Sequence, residues 1–357
     1  MYLESLQIRQ VRNLHAVQFS PGHRLNFLTG KNGSGKTAIL EAIFLLSRGK
    51  SFRSPRIQEI IQHNQNSLLV AARLKNEQQG SIQSGMEKGN GETIIRYNGN
   101  KVSTISEQTR SIPIVLVTQD SHLLITGGPK ERRHWLDWAM FHVEHDYLEQ
   151  WKVYMRALRH RNAMLKKGEN KRELYRAWEE GMIESGQYLQ TTRQNYLDRL
   201  NEVFCGFVGH VFKGEIIVSL SSGWPGSAQE QDVFESGWKN DLKVGYTRNG
   251  SHNIDIRFSL EKNQLASVFS RGQIKLYMCL LAIAQAKTQT AWTGVAPVIL
   301  IDDYVAELDF DACEYLLNQL AACQFQVFLT STESQKNLKN NGLYSSFHVE
   351  QGSVQPN

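Results

Sequence analysis

The chain has 357 residues, 41% of them hydrophobic, enough for a packed core and too many for a disordered chain. Its 40 Lys and Arg against 35 Asp and Glu leave a formal charge of +5, a mild excess that suits an anionic partner without specifying one. The length allows two domains, or one large domain with an insertion, and no apolar run approaches the roughly 20 residues of a membrane span.

The first segment, Met1 to Leu14, carries charges throughout and has no apolar signal core. Residues 1–28 read as strands. Leu3, Leu6, Ile8 and Val11 are apolar among polar neighbours, and Arg24 to Leu28 forms a second short run. A glycine-rich loop from Gly30 to Gly35 leads into a helix from Lys36 to Leu46, with Ile39, Leu40, Ile43 and Phe44 on one face. Leu68 to Val102 alternates and contains the turn pair Asn98-Gly99, which predicts antiparallel strands. Ile114 to Val117 predicts another strand.

After Gly127-Gly128-Pro129 the period becomes helical. Trp135, Trp138, Phe141, Trp151, Met155 and Leu158 recur, and a break at Lys167-Gly168-Glu169-Asn170 precedes Trp178, Met182, Tyr188 and Leu189. This predicts a helical hairpin arm, without the sustained heptads of a coiled coil. Residues 215–260 read as strands. Gln273 to Ala286 then reads as a helix, Val298 to Ile301 as a strand, Asp311 to Ala322 as a helix and Gln326 to Leu329 as a strand. That last strand–helix–strand order implies a parallel sheet. The four cysteines, Cys205, Cys279, Cys313 and Cys323, lack CxxC spacing, so no zinc ribbon or redox motif is suggested and a reducing, cytoplasmic setting is expected.

Three motifs carry chemistry. Gly30-Lys31-Asn32-Gly33-Ser34-Gly35-Lys36-Thr37 matches G-x-x-x-x-G-K-[ST], after a strand and at the start of a helix. Such a loop turns backbone N–H groups inward around phosphates, and the helix N-terminus adds partial positive charge. Lys36 is expected to reach the β- and γ-phosphates of ATP, and Thr37 to ligate Mg²⁺. The strand Val298 to Ile301 ends in Asp302-Asp303, at the end of a parallel strand where ligands bind in such sheets. Asp302 is expected to hold Mg²⁺ and Asp303 to orient or deprotonate the attacking water. Phe269-Ser270-Arg271-Gly272-Gln273 precedes the long apolar helix; taken alone, Ser270 reads as a helix cap.

The order of these motifs, followed by Ala306-Glu307-Leu308-Asp309, resembles the ABC ATPases: phosphate loop, signature, strand carboxylates and D-loop. The resemblance implies that Ser270, Gly272 and Gln273 bind the γ-phosphate of ATP held by a second subunit, so that ATP links a homodimer. It implies an α/β fold, an ABC/SMC-type ATPase head (P-loop NTPase) over residues 1–128 and 201–357, with a helical arm subdomain inserted at 129–200. The N-terminal pattern Leu3-x-x-Leu6-x-Ile8-x-x-Val11-Arg12-Asn13 resembles the SMC-like branch. Gly49-Lys50-Ser51-Phe52-Arg53-Ser54, Gly127 to Asp137, and Arg161 to Lys166 are similar to the RecF family of bacterial recombination mediators.

That resemblance implies an ATP-dependent, sequence-independent DNA-binding protein with weak DNA-stimulated ATPase activity. It would act in recombinational repair of gaps and at replication forks, helping RecA loading with RecO and RecR. Gln119 is assigned as the Q-loop residue near Mg²⁺, although Gln119-Asp120 stands where the family usually carries Pro-Glu. No histidine follows the last strand, where transporters carry one; Thr330-Ser331-Thr332 is there instead. Lys50, Arg53 and Arg56, Arg132 and Arg133, and Arg156, Arg159, Arg161, Lys166 and Lys167 are candidate phosphate contacts or simply solvated basic faces. A kinase or nucleotidase would not need the Ser270 signature, and the residues after Thr330 are too few for the acidic nuclease domain of some SMC-like relatives.

Overall fold

The computed structural model describes residues 1–76, 80–89, 91–102, 112–209, 211–225, 230–332 and 344–357. Contacts divide the chain into two compact units: Met1–Ser121 with Ser270–Asn357, and His122–Phe269.

The first unit begins with β1 (Tyr2–Val11), β2 (Leu14–Phe19), β3 (Leu25–Thr29) and α1 (Lys36–Arg48). β4 (Ser67–Asn76), β5 (Gly80–Gly89), β6 (Thr93–Tyr97), β7 (Asn100–Lys101) and β8 (Ile114–Val117) follow. An antiparallel sheet runs β2-β1-β4-β5-β6-β7. Alternation aims one face at the core: Ile8 pairs with Val70, and Val70 with Met86, all three buried. Leu3 and Leu6 are three apart, out of step for a regular strand, yet both are buried because the register shifts between Leu3 and Ser5.

The second unit holds α2 (Leu123–Thr126), α3 (Pro129–Val143), α4 (Tyr147–Lys166), α5 (Glu173–Val208), β9 (Ile216–Ser221), α6 (Glu230–Val244), β10 (Asp255–Leu260), β11 (Asn263–Gln264) and α7 (Leu265–Val268). This compact unit runs from His122 to Phe269 and contains the helices of the expected 129–200 arm. α5 continues to Val208, and β9 and α6 pack against it. The strand reading of 215–260 holds for β9 and β10 but is corrected at α6. That helix buries only Val233, Phe234 and Asp241.

The chain then returns to the first unit with α8 (Arg271–Thr293), β12 (Val298–Ile301), α9 (Phe310–Ala322), β13 (Val327–Ser331), β14 (Tyr344–Glu350) and β15 (Ser353–Pro356). They build a second sheet, β15-β14-β3-β13-β12-β8, in which β8, β12, β13, β3 and β14 run parallel. α1 packs against strands of both sheets of this unit. One core therefore joins Leu6, Ile8 and Val70 to Ile39 and Ile43 of α1 and to Leu300 and Phe328. α1 is apolar on more than the one face expected, because it is covered from two sides.

The second unit buries charged side chains alongside an apolar core that includes Leu136, Met182 and Leu197. Arg161 of α4 is fully buried. Its Nε donates to Glu179 at 2.9 Å, and its Nη1 donates to Asp241 at 2.9 Å and Thr247 at 2.7 Å. Phe234 lies against the guanidinium, 4.9 Å from its ring centroid. Arg132 is held bidentately by Asp255 at 2.7 and 2.9 Å, and Arg133 donates to the Ile254 carbonyl. Arg161 is thus corrected from a candidate phosphate contact to an internal one. Replacing Arg161 by methionine leaves Glu179 and Asp241 without their shared partner and should destabilise the chain by about 3–5 kcal/mol. Urea unfolding measures this, and a loss below about 1 kcal/mol would contradict the assigned role.

Candidate functional site

The site grows from the end of β3. Register pairs Thr29 with Ser331 and His348, so the chain leaves from inside the parallel sheet at Gly30. Gly30 has φ 150° and Gly35 φ 118°, conformations an L side chain resists. A Cβ at Gly30 would also collide with the Val349 carbonyl oxygen of β14. Gly35 is the N-cap of α1 and brings no capping side chain, so the first-turn N–H groups are left for an external acceptor.

Two contacts brace the loop from outside. Asn13 donates to the Gly33 carbonyl at 2.9 Å, and the Gly352 N–H donates to the Ser34 carbonyl at 2.9 Å. The Ser34 hydroxyl is buried and lacks a hydrogen-bond partner among the described residues. Lys36 folds back over the loop, its Nζ donating to the carbonyls of Gly30 at 2.6 Å and Lys31 at 2.9 Å. Burial pulls its ammonium below the usual lysine range, against the opposing pull of Asp303 and Asp302. Among the described residues, a buried hydroxyl without a partner, a lysine whose hydrogen bonds go to its own loop and an uncapped helix start together form a cradle for an anion.

Across the cradle, β12 ends at the same edge. Thr37 Oγ1 lies 3.0 and 3.2 Å from the two carboxylate oxygens of Asp302. Thr330 at the end of β13 donates to Asp302 Oδ1 at 2.7 Å and accepts from the Asp303 N–H at 2.7 Å. Lys275 of α8 donates to the Asp302 carbonyl at 3.1 Å. Asp303 sits at φ 48°, which turns the chain sharply after the strand. Thr37 and Asp302 offer two hard oxygen donors side by side, a set that fits Mg²⁺ completed by phosphate and water. Gln119 is exposed, two residues beyond Val117, at the sheet edge that Asp302 shares through its N–H to Val117 O bond.

Ser270 caps α8. Its Oγ accepts from the Gln273 N–H at 3.3 Å, and the Gln273 side chain accepts from the Ser270 N–H at 2.9 Å. Both residues are exposed. Gly272 lies under the Glu307 carbonyl, where a Cβ would collide, so the signature and the 306–309 turn touch within one chain. The structure thus brings Lys36, Thr37, Asp302 and Asp303 to one cradle. Ser270, Gly272 and Gln273 stand apart: among the described residues, no hydrogen bond joins them to the loop. Sequence reasoning gave no role to Asn13, Lys275 or Gly352, and noted Thr330 only as the absence of a histidine.

The phosphate loop on the central parallel sheet, the paired carboxylates and the capped signature helix define an ABC-type ATPase head of the SMC-like branch. A family model described as RecF/RecN/SMC N terminal domain matches residues 2–355. The DNA replication and repair protein RecF of Shewanella loihica is 35% identical over 357 residues, covering 99% of each chain. That of Shewanella oneidensis is 35% identical over 358 residues, again with 99% of each covered. A solved structure of the recombination mediator protein RecF with ATP, in the RecFOR pathway, superposes with a TM-score of 0.87 at 25% identity, covering 100% of this chain and 97% of that one. An Smc head bound to the C-winged helix domain of ScpA shares the fold, with a TM-score of 0.57 at 16% identity over 100% of this chain and 97% of that one. The chain belongs to the RecF family.

Gly272→Ala pushes a methyl into the Glu307 carbonyl and should cost about 1–3 kcal/mol through displacement of the turn. Thermal unfolding reports it; a variant as stable as the parent would mean that signature and turn are not in close contact.

Proposed function

We propose that this chain is an ATP-dependent DNA-binding protein of replication and recombinational repair. In this reading, ATP binding closes two copies head to head, and slow hydrolysis reopens them. The observation that carries the reading is the cradle itself: an uncapped α1 N-terminus, with Thr37 already bonded to Asp302. Its relatives bear the name DNA replication and repair protein, and one was solved with ATP as a member of the RecFOR pathway. RecO and RecR are therefore its proposed partners, in aid of RecA loading.

The proposed roles are these. Backbone N–H groups from Gly30 to Gly35, with Lys36 released from the loop carbonyls, hold the β- and γ-phosphates. Thr37 and Asp302 hold Mg²⁺, which neutralises phosphate charge when bound, and Gln119 at the shared edge is its proposed further contact. Asp303 orients the attacking water. Its side chain is one methylene shorter than the glutamate common in transporters, so turnover should fall far below the ~10 per second of a typical enzyme. The exposed Ser270 and Gln273, with Gly272 between, are the half of a site that a second copy completes. DNA is held through its backbone by exposed basic residues such as Lys50, Arg53 and Arg56, without base readout.

Asp303→Asn should bind ATP normally, slow hydrolysis by about 10²-fold or more, and prolong the ATP-bound dimer. Equal hydrolysis rates would remove Asp303 from the water-activating role. Ser270→Arg should leave ATP binding by the monomer intact, because Lys36 and Thr37 are untouched. It should abolish ATP-induced dimerisation, because a guanidinium fills the gap where the second copy's γ-phosphate docks. Ser270→Asn, which keeps a helix cap, controls for cap loss. Size-exclusion with light scattering, with and without ATP and DNA, reads both variants. Normal ATP-dependent dimerisation of Ser270→Arg would return Ser270 to an ordinary cap.

A further inference from the structure

Thr330, next to last in β13, is buried, and its hydroxyl both donates to and accepts from the two carboxylate residues of the neighbouring strand end. A hydroxyl has one proton and two lone pairs. The proton goes to Asp302 Oδ1 at 2.7 Å, since a carboxylate can only accept. A lone pair takes the Asp303 N–H at 2.7 Å. The Thr330 carbonyl accepts from the Tyr304 N–H at 3.1 Å, so one residue grips three consecutive positions of the turn. Asp303 lies in the left-handed region at φ 48°, which a non-glycine residue keeps only where its surroundings hold it.

We propose that Thr330 is a positioning residue for the metal and water chemistry of this site. Its hydroxyl sets the rotation of the Asp302 carboxylate against Thr37 and fixes the backbone from which the Asp303 side chain departs. The proposal rests on the reading of Thr37 and Asp302 as the Mg²⁺ ligands. Oxygen ligands of a cation need their remaining lone pairs oriented, and partners in that position typically change metal affinity 10–100-fold. No branched apolar residue can replace it: valine has the same shape and fits the same space, but it offers neither the proton nor the lone pair. Thr330 is therefore polar at the site end of a strand whose first three residues, Val327, Phe328 and Leu329, are buried and apolar.

The test is the Mg²⁺ dependence of nucleotide binding, followed with a fluorescent, non-hydrolysable ATP analogue on the full chain. Thr330→Val should raise the Mg²⁺ concentration for half-maximal binding by about tenfold or more, while binding in EDTA stays at the parental level. Thr330→Ser, which restores the hydroxyl, should return the Mg²⁺ midpoint to within about twofold of the parent, well inside the tenfold loss of the valine variant. A merely structural role would lower stability and binding in both conditions alike, without a selective shift in the Mg²⁺ midpoint. Should the valine variant not fold, Thr330→Ala carries the same comparison. An unchanged Mg²⁺ midpoint in a folded valine or alanine variant overturns the proposal for Thr330. If instead the parent chain binds the analogue without any Mg²⁺ dependence, the assignment of Thr37 and Asp302 fails.

Discussion

The burial of α1 between two sheets is the constraint on which the first unit depends. Its body is covered on almost every side, with Ile39, Ile43, Leu45 and Leu46 all fully buried. The phosphate loop stands at its N-terminus, where Thr37 is partly exposed. The most deeply buried charge of the helix is Glu41, which has no exposed surface. Arg12 meets it bidentately at 2.9 and 2.8 Å, Ser51 also donates to it, and Arg53 stands 3.9 Å away. A buried carboxylate without such partners would be strongly destabilising. Arg12 holds a left-handed backbone at φ 55° to reach it, a conformation that costs about 1–3 kcal/mol and is retained only where contacts repay it. The next residue, Asn13, bonds the loop at Gly33. The same corner between β1 and β2 therefore neutralises the body of the helix and braces its mouth.

The parallel sheet does the rest of the positioning. β3, β13, β12 and β8 run side by side in one direction, so the loop, Thr330, Asp302 and Gln119 emerge at one edge whatever their separation in sequence. Thr37 and Asp302 are 265 positions apart and in hydrogen-bond contact. α8 reaches this edge from another direction. Lys275 fixes the Asp302 carbonyl, and Gly272 lets the signature lie against Glu307. The N-terminus of α8 and the carboxylate turn thus form one mechanical piece within a chain, although the proposed function assigns them to different nucleotides.

The second unit is organised by guanidinium groups. Arg161 binds Glu179 and Asp241, Arg193 binds Asp137 at 2.7 Å and the Tyr147 hydroxyl at 2.7 Å, and Arg132 binds Asp255. Each adds directional bonds between a helix and segments far along the chain to the apolar packing of the unit. A basic residue on a helix therefore carries no information about its face until its partners are known. The exposed Lys50, Arg53 and Arg56 and the buried Arg161 look alike in a sequence.

Residue types alone were enough to read the phosphate loop, the strand that ends in Asp302-Asp303, the cap at Ser270 and the parallel arrangement of the last strands. These are local: each follows from residue types at short spacing, where glycine conformations, strand hydrophobicity and capping chemistry act over a few residues. The resemblance of the sequence to known motifs supplied the family. Long-range packing set the rest: α1 is covered from two sides, β14 joins β3 at the back of the loop, and α6 is a helix where strands were expected. It alone decided that Arg161 turns inward and that Thr330 holds both carboxylate residues. Those outcomes depend on hydrogen bonds and ion pairs between residues tens to hundreds of positions apart, such as Arg161 with Asp241 and Thr330 with Asp302. A single sequence carries no distance information for such pairs, because a threonine that orients a carboxylate and one that only fills a strand are the same letter.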